Sequence, residues 1–343
     1  MLVEELDIPS LPDEAIDEVN AFLNLLQAES HPEDPPRPDE LARVEYRTIP
    51  SFAVWRQAVI READGTIVGY LHTSWERAEH NQHVIHIDVG VHPDRRRGGI
   101  GTALLRTAVA WADEAQKTLI VANTVDRVPA GEAFAEHVGA RKAMVGHTNR
   151  LVLADVDRAM VERWVAEGPA RAPGYSLVQI DGACPDDVVE KVVDVLHVMN
   201  TAPTEDLEVE DQVWTVEEMR ELEKAMLAGG SERRYVAARH DATGEFVGFT
   251  ESWRRTKSMP KTVWQWGTGV RPEHRGHALG KWMKAVNVLR YLDEWPEVED
   301  VRTHNADSND AMLGINHALG FKPYTVDLHW QIAVDEARRY VAR

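Results

Sequence analysis

Two loops of the chain combine arginines and glycines in a pattern that suits the binding of a charged ligand. The first runs from Arg96 to Gly101 and the second from Arg275 to Gly280, each between a strand-like and a helix-like stretch. Backbone N–H groups at a helix N-terminus, together with arginine side chains, suit the binding of a phosphate group. Glycine lets the backbone approach such a ligand closely and adopt a positive φ. For either loop alone, the structural alternative is an ordinary strand-to-helix turn with solvated arginines.

Two common nucleotide-binding patterns do not fit these loops. The dinucleotide pattern G-x-G-x-x-G is absent, and the preceding strands are predicted to be antiparallel. The P-loop pattern G-x-x-x-x-G-K-[ST] is absent as well, which argues against ATP hydrolysis of that type.

The elements around the loops occur twice in the chain. The hairpin-like stretch DGTIVGYLHTSW (Asp64–Trp75) corresponds to TGEFVGFTESW (Thr243–Trp253), and VHPDRRRGGIG (Val91–Gly101) corresponds to VRPEHRGHALG (Val270–Gly280). In both pairs, the second stretch begins the same number of residues after the first. A period this long indicates two duplicated domains rather than a solenoid.

The stretch EGPARAPG, at 167–174, contains two prolines and two glycines, which interrupt regular structure. We therefore predict an N-terminal domain over 1–166, a linker over 167–174 and a C-terminal domain over 175–343. Each copy is predicted to contain two helices, three antiparallel strands, and then a helix, a strand, a helix and a strand. The expected fold class is α/β (α+β), with a mixed, mostly antiparallel sheet flanked by helices in each domain.

The composition narrows the classes of partner. The 343 residues include 38 Lys and Arg against 57 Asp and Glu, a net charge of −19, which disfavours nucleic acid and anionic membranes as partners. The single cysteine, Cys184, allows no intramolecular disulfide and excludes a cysteine-based zinc site, and we expect no metal. No apolar run approaches the roughly 18 residues of a membrane span. The acidic N-terminus lacks a signal-peptide layout, so we expect a cytoplasmic protein.

The loops resemble the pyrophosphate-binding motif of the GNAT N-acetyltransferase superfamily, R/Q-x-x-G-x-G/A. The first copy matches it with Arg96, Gly99 and Gly101, whereas the second has Ala278 where the first glycine is expected. The resemblance implies an acetyl-CoA co-substrate whose pyrophosphate is held by the loop and whose thioester lies beside the last residue of the preceding strand. The residues it assigns to CoA binding are Val91, Arg96, Arg97, Gly98, Gly99, Ile100, Gly101 and Thr102, with Val270, Arg275, Gly276, His277, Ala278, Leu279, Gly280 and Lys281 in the second copy.

A narrower resemblance covers THNADSNDAMLGINHALGFKP, at Thr303–Pro323, which is similar to the C-terminal half of actinobacterial tandem GNAT proteins. It adds Asn305, Asn309 and Asn316 to the candidate binding residues, although asparagines also form turns. Many GNAT enzymes carry a tyrosine that protonates the CoA thiolate. That position is Asn316 in the second copy and Ala135 in the first, so neither copy has the usual acid.

Removing a proton from an ammonium substrate needs a carboxylate, a histidine or an ordered water. The candidates in the second copy are Glu251 in a hairpin strand and His304 at the end of a later strand. The candidates in the first copy are His86 and Asp88, in the strand before the loop. The structural alternatives are solvated strand residues in the second copy and side chains on the outer face of the sheet in the first.

The resemblance implies an N-acetyltransferase that transfers acetyl to a primary amine of a small molecule, such as an antibiotic, an amino sugar, a polyamine or a pathway metabolite. We expect a monomer or homodimer, with the second copy better equipped on its acceptor side. The acidic loop at Glu205–Asp211 is either a solvated surface loop or a lid that attracts a cationic amine. The alternatives are a non-catalytic acyl-CoA sensor or interaction protein, a protein N-acetyltransferase and, less compatible with the negative charge, an enzyme that uses aminoacyl-tRNA.

Overall fold

The structure, a computed structural model, describes residues 2–343. Its α-helices are α1 (Asp13–Ser30), α2 (Asp39–Arg47), α3 (Ile100–Glu114), α4 (Pro129–Val138), α5 (Arg158–Arg171), α6 (Val189–Leu196), α7 (Val216–Ala228), α8 (Leu279–Glu294), α9 (Asp310–Leu319) and α10 (Val334–Val341). Its strands are β1 (Glu4–Leu6), β2 (Ala53–Arg61), β3 (Ile67–Glu76), β4 (Val84–Val91), β5 (Leu119–Val125), β6 (Arg141–Val152), β7 (Tyr175–Asp181), β8 (Ser231–His240), β9 (Phe246–Arg255), β10 (Thr262–Val270), β11 (Asp300–Ala306) and β12 (Lys322–Ala333). Short 3-10 helices occupy Ile8–Ser10, Pro93–Arg95, Leu153–Asp155, His197–Thr201 and Pro272–His274.

The first compact unit comprises residues 1–146, 204–210 and 325–343. Its strands lie in the order β1-β2-β3-β4-β5-β12. The pairs β1–β2, β2–β3, β3–β4 and β5–β12 are antiparallel, and β4–β5 is parallel. The helices α3 and α10 pack on one apolar cluster of this unit, whereas α1 and α2 belong to another.

The second compact unit comprises residues 147–203 and 211–324. Its strands lie in the order β7-β8-β9-β10-β11-β6. The pairs β7–β8, β8–β9 and β9–β10 are antiparallel, whereas β10 and β11 are parallel. Both units therefore have the mixed, mostly antiparallel sheet with flanking helices that the sequence predicts, and the predicted fold class is confirmed.

The compact units differ from the predicted division of the chain because two segments are exchanged. The C-terminal residues 325–343, predicted to belong to the second domain, lie in the first unit, where β12 pairs with β5 and Ile332 is opposite Ile120. Conversely, residues 147–166 lie in the second unit. The first unit thus receives β12 from the second copy, and the second unit receives residues 147–152 of β6 from the first copy.

The predicted linker at 167–174 is helical over its first half. Helix α5 continues to Arg171 with Pro169 inside it, and the chain turns only at Gly174, where φ is +86°. The helix packs against α8 so closely that a Cβ atom at Gly168 would clash with the ring of Trp282. Glycine is therefore required at 168 by the approach of the two helices, and it does not mark a break in the helix.

Apolar burial fixes the elements that flank the first loop. Helix α3 buries Leu104, Leu105 and Trp111 at helical spacing, and they pack against Leu71 and Ile85 of the sheet. The burial of α3 against β3 and β4 holds the end of β4 and the start of α3 in fixed positions. The loop between them is therefore presented by a rigid support.

Candidate active site

The first loop exposes a row of backbone N–H groups. Strand β4 ends at Val91, and Gly99 adopts a φ of +83° immediately before α3 begins at Ile100, a conformation that glycine adopts without strain. A Cβ atom added at Gly99 would meet no protein atom within 4 Å, so that side of the loop is open. Within residues 2–343, the N–H groups of residues 97–102 donate no hydrogen bond. Such a row, at the positive end of a helix dipole, suits an anionic ligand.

The two arginines of the first loop have different surroundings. Arg96 folds back on the strand, where its Nε donates to the Val91 carbonyl at 3.3 Å and its guanidinium binds the Glu29 carboxylate, with Nη1 2.7 Å from Oε1. Arg97 is exposed, with a φ of +67°, and forms no ion pair in the described part of the chain. The positive charge available to a ligand at this loop therefore belongs mainly to Arg97.

A cleft extends from the loop between two strands that separate. Strands β4 and β5 pair only at Val84–His86 and Leu119–Val121, although both continue further. Beyond this point lies a cavity of about 570 Å³, which we call the loop cleft. Its walls include Val89, Val91, Asn123, Gly99, Gly101 and Phe134. It provides an extended channel that begins at the free N–H groups.

A second cavity, the Asp88 pocket, adjoins the loop cleft and has a volume of about 380 Å³. The two cavities share Leu26, Val89, Gly90 and Asn123. The polar side chains that line the Asp88 pocket are Arg37, Glu45, Tyr46, Gln57, Tyr70, His72 and Asp88. A molecule in the pocket would therefore meet a molecule in the cleft at the end of β4.

Three of these side chains form a row across the sheet. Gln57 of β2 lies opposite His72 of β3, and His72 lies opposite Asp88 of β4. Residues opposite each other in antiparallel strands project from the same face. Tyr46 donates to Gln57 Oε1 at 2.6 Å, and Gln57 Nε2 lies 3.3 Å from His72 Nδ1. The row is therefore fixed by hydrogen bonds at its Gln57 end.

The charge states of the row follow from its surroundings. Asp88 is exposed on the wall of the pocket, and the protein around the pocket displaces part of its water, which raises the pKa of its carboxyl above the ordinary 3.8. Burial lowers the pKa of His72 to about 4, so its imidazole is neutral at physiological pH. Glu45, the other carboxylate of the pocket, is held by Arg37 at 2.6 Å. Asp88 has no ion-pair partner among residues 2–343, so it is the group best suited to accept a proton.

The second loop has similar geometry with one difference. Strand β10 ends at Val270, and Ala278 precedes α8 with a φ of +56°, a strain of about 1 kcal/mol for a residue with a Cβ atom. The N–H groups of residues 276–281 donate no hydrogen bond within the described chain. Arg275 donates to the Val270 carbonyl at 3.0 Å and to Thr201 Oγ1 at 2.8 Å. The second copy thus also exposes free N–H groups, without the glycine of the first loop.

Several predicted CoA-binding residues contact neighbouring aromatic side chains. Thr102 Oγ1 lies 3.4 Å from the hydroxyl of Tyr340, a residue of α10 that also lines the loop cleft. The ring of His277 packs 5.2 Å from the Tyr175 ring, and Lys281 Nζ lies 3.7 Å from the centre of the Trp164 ring. His277 and Lys281 therefore also have structural contacts within the second unit.

Glu251 is a buried ion-pair partner and not a solvated strand residue. Its Oε1 lies 2.7 Å from Arg233 Nε and accepts a hydrogen bond from Trp253 Nε1 at 3.0 Å. Arg233 is fully buried and is also bound by Glu223 at 2.5 Å. Proton transfer to Glu251 would leave the buried Arg233 charge with one partner fewer, so this placement argues against its prediction as a base. His304, the other candidate in this copy, is exposed on β11.

The predicted asparagines of the second copy have structural partners. Asn316 is fully buried; its Oδ1 accepts from Lys284 Nζ at 2.5 Å, and its Nδ2 donates to Asn305 Oδ1 at 2.8 Å. Asn309 is the N-cap of α9 and accepts from the Met312 amide at 3.4 Å. These contacts explain all three asparagines without a ligand.

Burial of Lys284 without a carboxylate lowers the pKa of its amine to about 7. Between that value and the ordinary 10.5, the unfolded chain holds more protons than the folded one. We therefore expect the free energy of unfolding to rise with pH across this range by up to about 1.4 kcal/mol per pH unit. Lys284→Met should remove this rise in urea unfolding curves measured at several pH values, whereas Lys322→Met, at an exposed position, should retain it. An unchanged slope in Lys284→Met would contradict the assignment.

The acidic loop is hydrogen-bonded and ion-paired to the first unit. Glu210 accepts from the Asn81 amide at 2.6 Å, and its own N–H donates to Asn81 Oδ1 at 2.8 Å. Glu208 binds Arg141 at 2.7 Å. The loop residues 204–210 accordingly belong to the first compact unit.

The site residues that sequence reasoning missed belong to the first copy. Tyr46, Gln57, Tyr70 and His72 line the Asp88 pocket but were not among the candidates. One sequence feature could have indicated them: each strand of the hairpin has a polar residue within a largely apolar stretch, Gln57 in QAVI and His72 in YLHT. The Asp88 pocket lies in the first copy, whereas the sequence led us to expect the second copy to be better equipped on its acceptor side.

Within residues 2–343, no cluster of three or more His, Cys, Asp and Glu side chains is arranged to hold a metal ion. None of the helices in this range combines the length and apolar character required to cross a membrane.

The chain is similar to known acetyltransferases in sequence and fold. The family model described as acetyltransferase (GNAT) family matches residues 19–140 and 198–321, one segment in each copy of the repeat. The structure is similar to that of a tandem GNAT protein from the clavulanic acid biosynthesis pathway, with 29% identity, a TM-score of 0.78, and coverage of 97% of this chain and 98% of that chain. It also shares its fold with a GCN5-related N-acetyltransferase from Sphaerobacter thermophilus, with 12% identity, a TM-score of 0.67, and coverage of 97% and 95%. No curated protein sequence matches the chain.

Proposed function

Because the chain belongs to the GNAT acetyltransferase family and contains two copies of its fold, we propose that it is an acetyl-CoA-dependent N-acetyltransferase acting on small primary amines. We assign the transfer to the first unit. The observation that carries the proposal is the junction between the loop cleft and the Asp88 pocket, which share Val89, Gly90 and Asn123. One cavity is suited to the donor and the other to the acceptor.

The residues of the first loop fit the pyrophosphate of a CoA thioester. Six successive N–H groups lack partners within the described residues, and the open space beside Gly99 lies where a phosphate would approach. Arg97 supplies positive charge. Because Glu29 already holds Arg96, we assign most of the phosphate contact to the backbone and Arg97.

Asp88 is the proposed base. The donor supplies a thioester, whose C–S bond breaks as the amide C–N bond forms. An ammonium bound in the pocket loses a proton to the Asp88 carboxylate before or during attack, and the raised pKa of Asp88 makes that carboxylate a stronger base. The leaving thiol has an ordinary pKa of about 8.5, so solvent suffices as its proton source, which is consistent with Ala135 at the usual tyrosine position.

The pocket also indicates the class of acceptor. Its volume of about 380 Å³ suits a small molecule. The carboxylate of Asp88, which has no ion-pair partner among residues 2–343, attracts a cation, and the aromatic residues Trp55 and Tyr70 line the same pocket. Arg37 is held there by Glu45 at 2.6 Å. We therefore propose a small cationic amine as the acceptor.

For the second unit, we propose acyl-CoA binding without transfer, the second candidate function. Its loop keeps the free N–H groups. Its carboxylate candidate, Glu251, forms an ion pair with Arg233, and Asn316 accepts a hydrogen bond from Lys284. Glu251 and Asn316 thus both have partners inside the protein, which favours a structural or regulatory role for this copy.

Glycine substitutions test donor binding in each unit. Gly65, Gly99 and Gly276 all have positive φ and no atom within 4 Å of an added Cβ, so valine introduces similar strain at each. We expect Gly99→Val to weaken acetyl-CoA binding at least about tenfold, or 1.4 kcal/mol, because the side chain would occupy the phosphate position. Gly276→Val should weaken a second site, and Gly65→Val, in the β2–β3 turn, should change neither. Calorimetric titration measures all three variants, and equal affinities in Gly99→Val and Gly65→Val would contradict the donor site.

A further inference from the structure

A third cavity adjoins the first two. The Ala135 cavity has a volume of about 90 Å³ and lies between the sheet and the helices α3 and α4. Its apolar walls include Ile87, Leu105, Ile120, Val138 and Ile332. Val89 and Asn123 line this cavity, the loop cleft and the Asp88 pocket alike. The three spaces therefore meet at the point where the acyl carbon of a donor would have to contact the acceptor.

Small residues on α4 and after it make this space. Gly131, Ala135 and Ala140 all line the cavity. The hydroxyl of Thr124 is already engaged, since it accepts a hydrogen bond from Trp330 Nε1 at 2.8 Å. Asn123 and Gln331 are the other polar side chains of the wall, and the remaining lining residues are apolar or glycine.

The second unit fills the corresponding space with side chains. Where the first copy has Leu105, Gly131, Ala135 and Ala140, the second has Lys284, Met312, Asn316 and Phe321. Lys284 Nζ lies 3.6 Å from Met312 Sδ, 2.5 Å from Asn316 Oδ1 and 5.5 Å from the centre of the Phe321 ring. The fold therefore accommodates large residues at these positions, and the opening in the first unit follows from its small ones.

We propose that the first unit takes a straight-chain acyl-CoA longer than acetyl, with four or five acyl carbons, and that the acyl tail occupies the Ala135 cavity. This inference rests on the proposed donor site in the loop cleft. A cavity of about 90 Å³ has room for about three groups the size of a water molecule, which corresponds to acetyl extended by two or three carbons. The tail would leave the junction on the α4 side, away from the Asp88 pocket, so that it does not obstruct the amine.

The expected preference follows from the burial of apolar carbon. Each methylene transferred from water into the cavity strengthens binding by about fourfold. Butyryl-CoA has two more methylenes than acetyl-CoA and should therefore bind about 15-fold more tightly. Ala135→Leu places a branched side chain in the cavity and should bring the ratio close to one while leaving acetyl-CoA binding intact. Glu136→Leu adds the same side chain at an exposed position of α4 and should keep the wild-type ratio.

The experiment is a calorimetric titration of the full chain and both variants with acetyl-CoA and with butyryl-CoA. A wild-type preference for butyryl-CoA that is lost in Ala135→Leu and kept in Glu136→Leu supports the inference. Equal dissociation constants in the wild type, or a preference that survives Ala135→Leu, overturns it. If Ala135→Leu does not fold, the wild-type ratio still decides.

The same titrations separate this inference from the proposed transfer reaction. Binding requires no acceptor, so the ratio of dissociation constants is measured even if CoA release with a panel of primary amines shows no turnover. Absence of turnover with an intact preference would remove the transferase assignment and leave the acyl site. Turnover with acetyl-CoA, without a preference for butyryl-CoA, would support the transferase assignment and contradict the assignment of the acyl tail to the Ala135 cavity.

Discussion

Asp88→Asn is expected to lower kcat/KM for amine acylation by about 10²- to 10⁴-fold, with acetyl-CoA affinity nearly unchanged. Asparagine keeps the size of the side chain but cannot accept the proton of an ammonium. The matched control is Glu45→Gln, which alters the other carboxylate of the Asp88 pocket, the one held by Arg37. Its loss of kcat/KM should be much smaller, because a carboxylate already paired with a guanidinium is a poor base. Steady-state rates of CoA release would measure both variants.

The pH dependence of the rate gives a second test of Asp88. The partial loss of water in the pocket raises the pKa of Asp88 above 3.8, and below that raised pKa the carboxyl is protonated and cannot act as a base. We therefore expect kcat/KM to fall as the pH falls through this value, and Asp88→Asn to lack the acidic limb. His72, with a pKa of about 4, also titrates on this side, so His72→Gln should keep the limb. A limb that persists in Asp88→Asn would assign the proton transfer to another group.

The loops were predictable because their function lies in local backbone. The order of a strand, an arginine, a glycine and a helix start is contiguous in sequence, and the structure places free N–H groups there in both copies. The doubled fold was predictable for a similar reason, since the repeat preserves the spacing of its landmarks. What a local pattern cannot give is the partner of each side chain. Glu251 looked like an isolated strand carboxylate until Arg233, on the neighbouring strand, was seen to bind it.

The Asp88 pocket depends on register between strands. Gln57, His72 and Asp88 are far apart in sequence and form a row only because β2, β3 and β4 pair with one particular alignment. The hairpin turn at Asp64-Gly65 constrains the first of these pairings, but β3 and β4 are joined by a longer connection that does not. A shift of one residue would have turned these side chains to the other face of the sheet.

The exchange of the final strands has a similar explanation. The side chains of β12 alternate between the two faces of the sheet, and this alternation is compatible with pairing to any strand that has an apolar face. Nothing in the alternation at Leu328, Trp330 and Ile332 specifies whether the partner is β5 or a strand of its own copy. The structure pairs these residues with Thr124, Ala122 and Ile120. The boundary at 167–174 was predicted from the order of the repeats, which carries no information about the pairing of β12 with β5.

Glu251→Gln is expected to lower the free energy of unfolding by about 3 kcal/mol. Arg233 is fully buried, with Glu251 at 2.7 Å and Glu223 at 2.5 Å. Removing one carboxylate leaves a buried guanidinium that water cannot reach and that a single carboxylate only partly compensates. Urea unfolding of the full chain measures the change. Glu217→Gln, at an exposed position of α7, is the matched control and should lie within about 0.5 kcal/mol of the wild type.

A double replacement separates the loss of an ion pair from the loss of packing. If the cost arises from an uncompensated charge, removing the guanidinium as well, in Arg233→Met with Glu251→Gln, should recover part of the stability lost in Glu251→Gln alone. The same variants distinguish a structural Glu251 from a catalytic one. If Glu251 is structural, the pH–rate profile of Glu251→Gln keeps the acidic limb that we assign to Asp88. If Glu251 is the base, Glu251→Gln lacks that limb. Loss of the limb in Glu251→Gln, with unfolding unchanged, would move the reaction to the second unit.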